Sequence, residues 1–303
     1  MNMKELYEKS CKLDDKTQTR EQCRRIFKHG IPKGTSTGWR SFDKYFTLLK
    51  GQLNILTGFP GSGKSEWIEA MACNLAKREN WNTLFFSPEN YPIEFHKMKL
   101  VEKIMDRQCH RKLNFPELTA DELEKGLDFV DSNFSFIDAG TDDYNLDSIL
   151  FTAQHSKLIM GKKTDMVIID PWNELEVFKP SNMTETEYIG ESLKRIRKFA
   201  RLHNISFWIV AHPAKIGRKK DGNYPSLSMY DISGSQHWYN KADNGIIIER
   251  NYENGMELIV KANVKKIKNR HYGKIGEAYF EFIPGSGNYR SCDESVKPPN
   301  KEF

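Results

Sequence analysis

The sequence predicts an α/β fold with a mostly parallel central sheet. Three observations carry that expectation. Short, wholly apolar runs alternate with longer segments of helical periodicity. A glycine-rich loop sits between the first such run and the first such helix. Near the C-terminus two strand-like runs follow one another with no helix between them, as a β-hairpin on one sheet edge requires.

The elements follow in order. Residues 1–30 are charged, carry little apolar surface and cannot fold alone, so they read as a short helical N-terminal arm that packs on something else or as a frayed tail. Gly30–Gly38 (GIPKGTSTG) punctuates the chain and opens the main domain, taken as 31–290. Leu53–Thr57 is a strand feeding the glycine loop, and Ser65–Arg78 is the helix after it. Thr83–Phe86 is a strand, Ile93–Arg107 and Ala120–Asp131 are helices, Phe134–Ile137 is a short strand and Leu146–Met160 a helix. Met166–Ile169, Phe207–Val210 and Gly245–Ile248 are apolar throughout, as strands buried on both faces are. Between them, Glu185–Leu202 places Ile189, Leu193, Ile196 and Ala200 on one stripe. Leu258–Val264 and Ala278–Phe282 form the hairpin. Residues 291–303 (CDESVKPPNKEF in large part) read as a disordered tail.

Composition bounds the function only loosely. The 303 residues suffice for one large domain with an appendage. The net charge of +5 permits nucleic-acid binding without requiring it, so the placement of the cations matters more. Five scattered cysteines form no CxxC pair and no zinc spacing, which fits a reducing compartment. The N-terminus has no apolar core of a signal peptide and no stretch reaches the about 20 apolar residues of a membrane span. A soluble, cytoplasmic protein with no membrane partner is the expectation.

The chemistry begins at the loop. Gly58, Phe59, Pro60, Gly61, Ser62, Gly63, Lys64 and Ser65 fit GxxxxGK[ST] without departure. Such a loop wraps phosphate with backbone N–H groups, so glycines must permit close approach and unusual dihedrals. The following helix N-terminus favours the anion. Lys64 is expected on the β- and γ-phosphates and the Ser65 hydroxyl on Mg²⁺. A glycine turn that binds nothing is the plain alternative, but strand before and helix after are the context that phosphate binding needs. A second carboxylate should hold the hydrated metal from the end of a neighbouring strand. Asp170, closing Met166–Ile169, is that residue unless it merely caps the turn before Pro171. For a base or water-positioner two carboxylates compete, Glu89 after Thr83–Phe86 and Glu174 after Asp170; either can be a surface residue. His212 follows Phe207–Val210, where it can sense the γ-phosphate or serve as a structural hydrogen-bonder.

Six segments in order then point to one family. They are STGWRSFDKYF with KGQLNILTGFPGSGKSEW, FFSPEN, VIIDPWNEL, WIVAHPAK, MYDISGSQHWYNKADNGIIIER, and Lys268-Asn269-Arg270 with HYGKIG. From about Thr35 to Phe282 the chain resembles the RecA-like motor of ring-shaped replicative helicases, the DnaB and Twinkle group with the phage primase-helicases. The resemblance implies a RecA-like P-loop NTPase core that hydrolyses ATP, or another NTP, with Mg²⁺. It implies Glu89 as catalytic glutamate, Asp170 as the Walker B carboxylate and His212 as γ-phosphate sensor. Arg270 becomes a finger reaching the neighbouring subunit's nucleotide, with Lys268 as companion, while Arg250 and Phe282 flank the base unless Phe282 is a core residue instead. It further implies a homo-oligomer, a hexameric ring, acting on single-stranded DNA, with a primase as a candidate partner. No zinc-binding or primase module is recognisable upstream, so the chain is expected to be a stand-alone helicase or part of a longer one, with a phage or mobile-element origin suiting its size.

Two stretches suit DNA phosphates. Lys215, Arg218, Lys219 and Lys220 crowd one loop directly after His212, and Gly234 and Ser235 lie in a small polar segment fit for backbone N–H contacts. A solvated loop is the alternative for the basic run. Lys194, Arg195, Arg197, Lys198 and Arg201 are expected to form a solvated helix face or a subunit contact, and Lys265 and Lys266 to alternate on an exposed strand. A RecA/RadA-like filament recombinase and a KaiC-type regulatory ATPase share the core and are the rival functions.

Overall fold

A computed structural model describes residues 14–110, 113–138, 140, 144–176, 179, 181–214, 226–234, 236–250 and 258–292. Its strands are β1 (Leu53–Thr57), β2 (Thr83–Phe86), β3 (Phe134–Phe136), β4 (Met166–Ile169), β5 (Ser206–Ala211), β6 (Asn244–Arg250), β7 (Ile259–Ile267), β8 (Gly276–Ile283) and β9 (Asn288–Ser291). All join one sheet in the order β3-β2-β4-β5-β1-β6-β7-β8-β9. From β3 to β6 every pairing is parallel, and β6 to β9 are antiparallel neighbours. The mostly parallel sheet with an antiparallel edge is therefore as the alternation predicts.

The helices are α1 (Lys16–His29), α2 (Arg40–Asp43), α3 (Lys64–Glu79), α4 (Ile93–Met105), α5 (Ala120–Asn133), α6 (Leu146–Gln154), α7 (Ser156–Met160), α8 (Glu185–His203) and α9 (His237–Lys241). They cover both sheet faces because the strands alternate with period two. Leu56, Phe85, Met166, Ile168, Trp208 and Val210 point to one face, where they meet Trp67 and Met71 of α3 and Leu100 of α4. Ile55, Leu84, Val167, Ile169, Phe207 and Ile209 point to the other, against Ile149 of α6 and Leu193 and Ile196 of α8. α5 and α8 each begin with a capping box, Thr119 with Glu122 and Thr184 with Glu187, which satisfies orphan N–H groups and fixes their starts. α1, capped by the Asp15 carboxylate, buries none of its side chains and belongs to a unit distinct from the one that begins at Thr35.

Three elements differ from expectation. The helix predicted over Leu146–Met160 breaks at His155, whose backbone leaves helical geometry (φ −98°, ψ 13°) while its Nδ1 lies 2.9 Å from the Phe151 carbonyl. No Gly or Pro signals that break. The C-terminal hairpin gains a further strand, β9, paired to β8 with Phe282 opposite Tyr289. Arg250 lies inside β6 rather than after it, opposite Val260. The expected tail beyond Cys292 lies outside the described residues.

The antiparallel edge is anchored by aromatic packing. Phe280, fully buried on β8, lies with its ring 5.0–6.3 Å from those of Trp39, Phe42, Trp67 and Tyr289. Truncating it leaves a cavity that four large rings cannot close. Phe280→Ala should lower the unfolding free energy by about 3–5 kcal/mol in urea titration.

Candidate nucleotide site

Parallel pairing sets the carboxyl ends of β2, β4, β5, β1 and β6 along one sheet edge, the place where open α/β sheets bind ligands. The glycine loop leaves β1 at this edge. Gly61 and Gly63 take φ of 74° and 89°, the left-handed region that glycine enters freely. A Cβ on Gly58 would stand 2.2 Å from the Ile248 carbonyl oxygen, and one on Gly63 2.7 Å from the Tyr289 hydroxyl. Lys64 is buried, and its Nζ donates to the Gly58 and Phe59 carbonyls at 3.0 and 3.1 Å. Burial lowers its pKa, opposed by Asp170 and Glu89. Ser62 Oγ is buried with no hydrogen-bond partner among the described residues. A cation and an orphaned hydroxyl inside a left-handed glycine loop fit a bound phosphate chain.

Asp170 closes β4 and is almost wholly buried. Burial pushes its carboxyl up to about 7, with Glu69 and Glu89 adding to the rise, against the Ser65 hydroxyl bonded to it and Lys64. Ser65 and Asp170 together can present a hydroxyl and a carboxylate to a divalent cation. Among the described residues no three His, Cys, Asp or Glu side chains cluster as metal ligands.

Glu89 sits on a single 3-10 turn, Pro88–Asn90, beyond β2. Its Oε1 lies 3.8 Å from His212 Nε2, and it acts electrostatically on Lys64, Asp170 and His212 alike. Burial lowers the His212 pKa, as does Lys64, so the ring is neutral near pH 7. Glu174 is exposed and enters this group only as the weakest influence on His212. The geometry thus brings Lys64, Ser65, Asp170, Glu89 and His212 together and leaves Glu174 at the margin.

Beneath Glu89 lies a charged cluster that sequence reading misses. Glu69, buried on α3, meets Lys103 at 3.2 Å, Lys99 at 3.2 Å and His96 at 3.3 Å from α4. Glu66, one turn earlier, pairs with Lys99 at 2.8 Å and also with Lys103. Burial alone would raise the Glu69 carboxyl, but Lys103, His96 and Lys99 together hold it well below the usual range. Asn90, next to Glu89, donates to Glu69 Oε1 at 3.1 Å and to Ser87 Oγ at 2.8 Å, and accepts from Lys99 at 2.9 Å. The glutamate turn is therefore tied to the helix that carries Lys64 and Ser65. The i, i+3 spacing of Glu66 and Glu69 is the one signal in the sequence, and it resembles any solvated helix face.

Arg250 and Phe282 also reach this edge, with the guanidinium 5.8 Å from the ring centre. Phe282 is only partly buried and packs at 5.2 Å on Tyr289, whose hydroxyl donates to the Gly63 carbonyl at 3.2 Å. Tyr289 thus joins the C-terminal strands to the phosphate loop, a contact across 226 residues that no local pattern announces.

Arg270 and Lys268 lie at the opposite sheet edge. β7 runs antiparallel to β6 and ends opposite Asn244, the residue that begins β6. From there to the glycine loop is at least the length of β1, about 13 Å at a rise of about 3.3 Å per residue. Arg270 is exposed and has no partner among the described residues; Lys268 pairs with Asp243 at 3.3 Å. Arg197 and Arg201, expected on a solvated or subunit-facing surface, also turn to Asp243. Lys266 is not simply exposed either, since its ammonium bonds the Tyr239 carbonyl and lies 4.6 Å from the Tyr239 ring centre.

Of the expected DNA contacts, Gly234 is placed, while Lys215, Arg218, Lys219, Lys220 and Ser235 lie outside the described residues. Gly234 has φ of 90°, and its carbonyl accepts from Thr186 Oγ1 at 2.8 Å. The residue before it, Ser233, donates its N–H to the His212 carbonyl at 3.1 Å, and Pro213 bridges to Ile232. The segment leaving His212 and the one leading into Gly234 are thus hydrogen-bonded side by side.

Fold and loop together define a P-loop nucleotide-binding protein with a RecA-like core. The chain belongs to the DnaB-like helicase C terminal domain family, which it matches over residues 34–291. It is 37% identical over 278 residues to the Twinkle homolog protein, chloroplastic/mitochondrial, of Arabidopsis thaliana; the match takes in 89% of this chain but only 38% of that protein. Two solved structures share the fold. One, described as an ATPase domain, superposes with TM-score 0.75 at 17% identity, over 94% of this chain and 100% of that one. A DnaB-like replicative helicase, described with its interactions with primase, gives TM-score 0.74 at 18% identity over 93% of this chain and 69% of that one. Among the described residues no helix is long and apolar enough to cross a membrane.

The buried cluster makes a measurable demand on stability. Lys103→Met strips Glu69 of its most buried counter-ion and should cost about 3–5 kcal/mol in denaturant unfolding at pH 7. Because Glu69 titrates low in the fold, the stability that it brings is present above the usual glutamate range and is lost as the pH falls from that range toward its lowered folded value. The variant's deficit should therefore narrow in acid.

Proposed function

We propose that the chain is the motor of a replicative DNA helicase, hydrolysing ATP at subunit interfaces of a hexameric ring to move along single-stranded DNA and part the duplex. The observation that carries this reading is the division of the machinery between the two sheet edges. Lys64, Ser65, Asp170, Glu89 and His212 gather at one edge, while Arg270 stands exposed at the other, where its own glycine loop is out of reach. A site so divided is completed by a second copy.

In this mechanism the glycine loop and Lys64 hold the β- and γ-phosphates. Ser65 and Asp170 would hold Mg²⁺, which when bound would offset phosphate charge. Glu89 orients a water and takes its proton as the oxygen attacks the γ-phosphorus; the bond to the bridging oxygen breaks and ADP leaves. Arg270 of the neighbouring copy, with Lys268 beside it, offsets charge on the phosphoryl group in flight, a contribution of about 10³–10⁵ in rate. Arg250 and Phe282 flank the base. His212 senses the γ-phosphate, and its hydrogen-bonded link to Ser233 carries that state to the Lys215–Lys220 loop and to Gly234 and Ser235, which grip DNA phosphates. The N-terminal arm, residues 1–30, packs on an adjacent subunit, and 31–290 is the ATPase domain. Because the chain spans 38% of its plant relative, the proposed motor can operate within a larger protein. The primase named with one structural neighbour is a proposed partner here too.

Arg270→Ala should lower kcat for ATP by at least about 10³ while a fluorescent nucleotide still binds with wild-type affinity; wild-type turnover in that variant would remove the finger assignment. On a forked duplex the wild-type protein should displace a strand in ATP and Lys64→Ala should not. DNA-stimulated hydrolysis without displacement, with filaments rather than rings in electron micrographs, would point instead to a recombinase.

A further inference from the structure

Behind Arg270 stands one carboxylate with an unusual number of obligations. Asp243 lies just before β6, 2% exposed, where an unpaired charge would be costly. Its Oδ2 accepts the Leu53 N–H at 3.1 Å, and its own N–H donates to the Leu53 carbonyl at 2.8 Å. It is thus fixed to the start of β1, the strand that leads to the glycine loop. Its Oδ1 faces three cations, Arg197 Nε at 3.2 Å, Lys268 Nζ at 3.3 Å and Arg201 Nη2 at 3.4 Å. Its carbonyl accepts the Lys268 N–H at 2.9 Å. Lys268 is therefore held by both main chain and side chain, two residues before Arg270.

The far side of the loop is also pinned. The Tyr272 carbonyl accepts the Thr47 N–H at 2.9 Å and the Thr47 hydroxyl at 2.8 Å, and Asn269 Oδ1 accepts the His271 N–H at 3.1 Å. Arg270 is left at the tip of a loop tethered on both sides. We infer that Asp243 is the positioning residue of this finger: it gathers Arg197, Arg201 and Lys268 around one charge and so fixes where Arg270 projects toward a neighbouring copy. Without that charge the three cations repel one another, and Lys268, on the exposed loop, is the one free to leave. With it, a surplus of positive charge still faces outward, which suits an incoming phosphate. The inference rests on the proposed role of Arg270 in trans.

Asp243→Asn keeps the size of the side chain and its acceptor for Leu53 but removes the charge. It should lower kcat by about a hundredfold, the scale on which a misplacement of about 1 Å acts, with nucleotide affinity and assembly unchanged. The discriminating measurement is co-assembly with Lys64→Ala subunits, which have an intact finger and a dead phosphate loop. Mixed assemblies should hydrolyse ATP well above the sum of the two separate ones, because an Asp243→Asn phosphate loop then meets an intact finger. Arg270→Ala mixed with Lys64→Ala is the control. If that pair does not complement, the trans reading itself fails. If it complements while Asp243→Asn turns over at the wild-type rate, or while Asp243→Asn does not recover on mixing, the positioning role of Asp243 is overturned.

Discussion

At Gly58 the chain leaves β1 so close to β6 that a Cβ would meet the Ile248 carbonyl at 2.2 Å. That approach of backbone to backbone sets the remaining geometry of the nucleotide edge. The loop must turn across the end of the sheet rather than away from it, which brings Lys64 back over the Gly58 and Phe59 carbonyls and starts α3 beside the ends of β4 and β2. Asp170 and Glu89 then need no long side chain or loop to reach the same region. Parallel pairing delivers them, one per strand.

Two carboxylates organise the cations of this core, and they act at opposite edges of one sheet. Glu69 joins α3 to α4 and steadies the turn bearing Glu89 through Asn90. Asp243 joins β1, α8 and the loop bearing Arg270. Each is buried and each is surrounded by more than one cation, so the cost of desolvating the carboxylate is offset by several partners rather than one.

The parts legible in the sequence are those whose physics is local. A glycine loop between an apolar run and a helix announces itself because dihedral freedom, close approach and helix start all fall within eight residues. Asp170, Glu89 and His212 stand out because each lies at or shortly beyond the end of a strand-like run, and parallel pairing brings such ends together. What stays hidden is long-range. Tyr289 touches Gly63 across 226 residues, and Asp243 meets Leu53 across 190. Glu69 resembles a surface residue until α4 covers it. β9 escapes sequence reading because NYRS has no apolar run, its stability coming from Tyr289 packed on Phe280 and Phe282. The break at His155 carries no helix-breaking residue, and what accompanies it is a side-chain contact to the preceding turn.

The placement of Arg270 and the glycine loop at opposite ends of β1 has a consequence for symmetry. In a ring built on that completion every contact is head-to-tail, joining different surfaces of the two copies. Such a contact has direction. Repeated without closure it leaves one terminal glycine loop with no finger and one terminal finger with no nucleotide, whatever the length of the array. Closed on itself it leaves neither. In the proposed ring, closure gives every copy an equivalent, complete site and gives the whole assembly a front and a back.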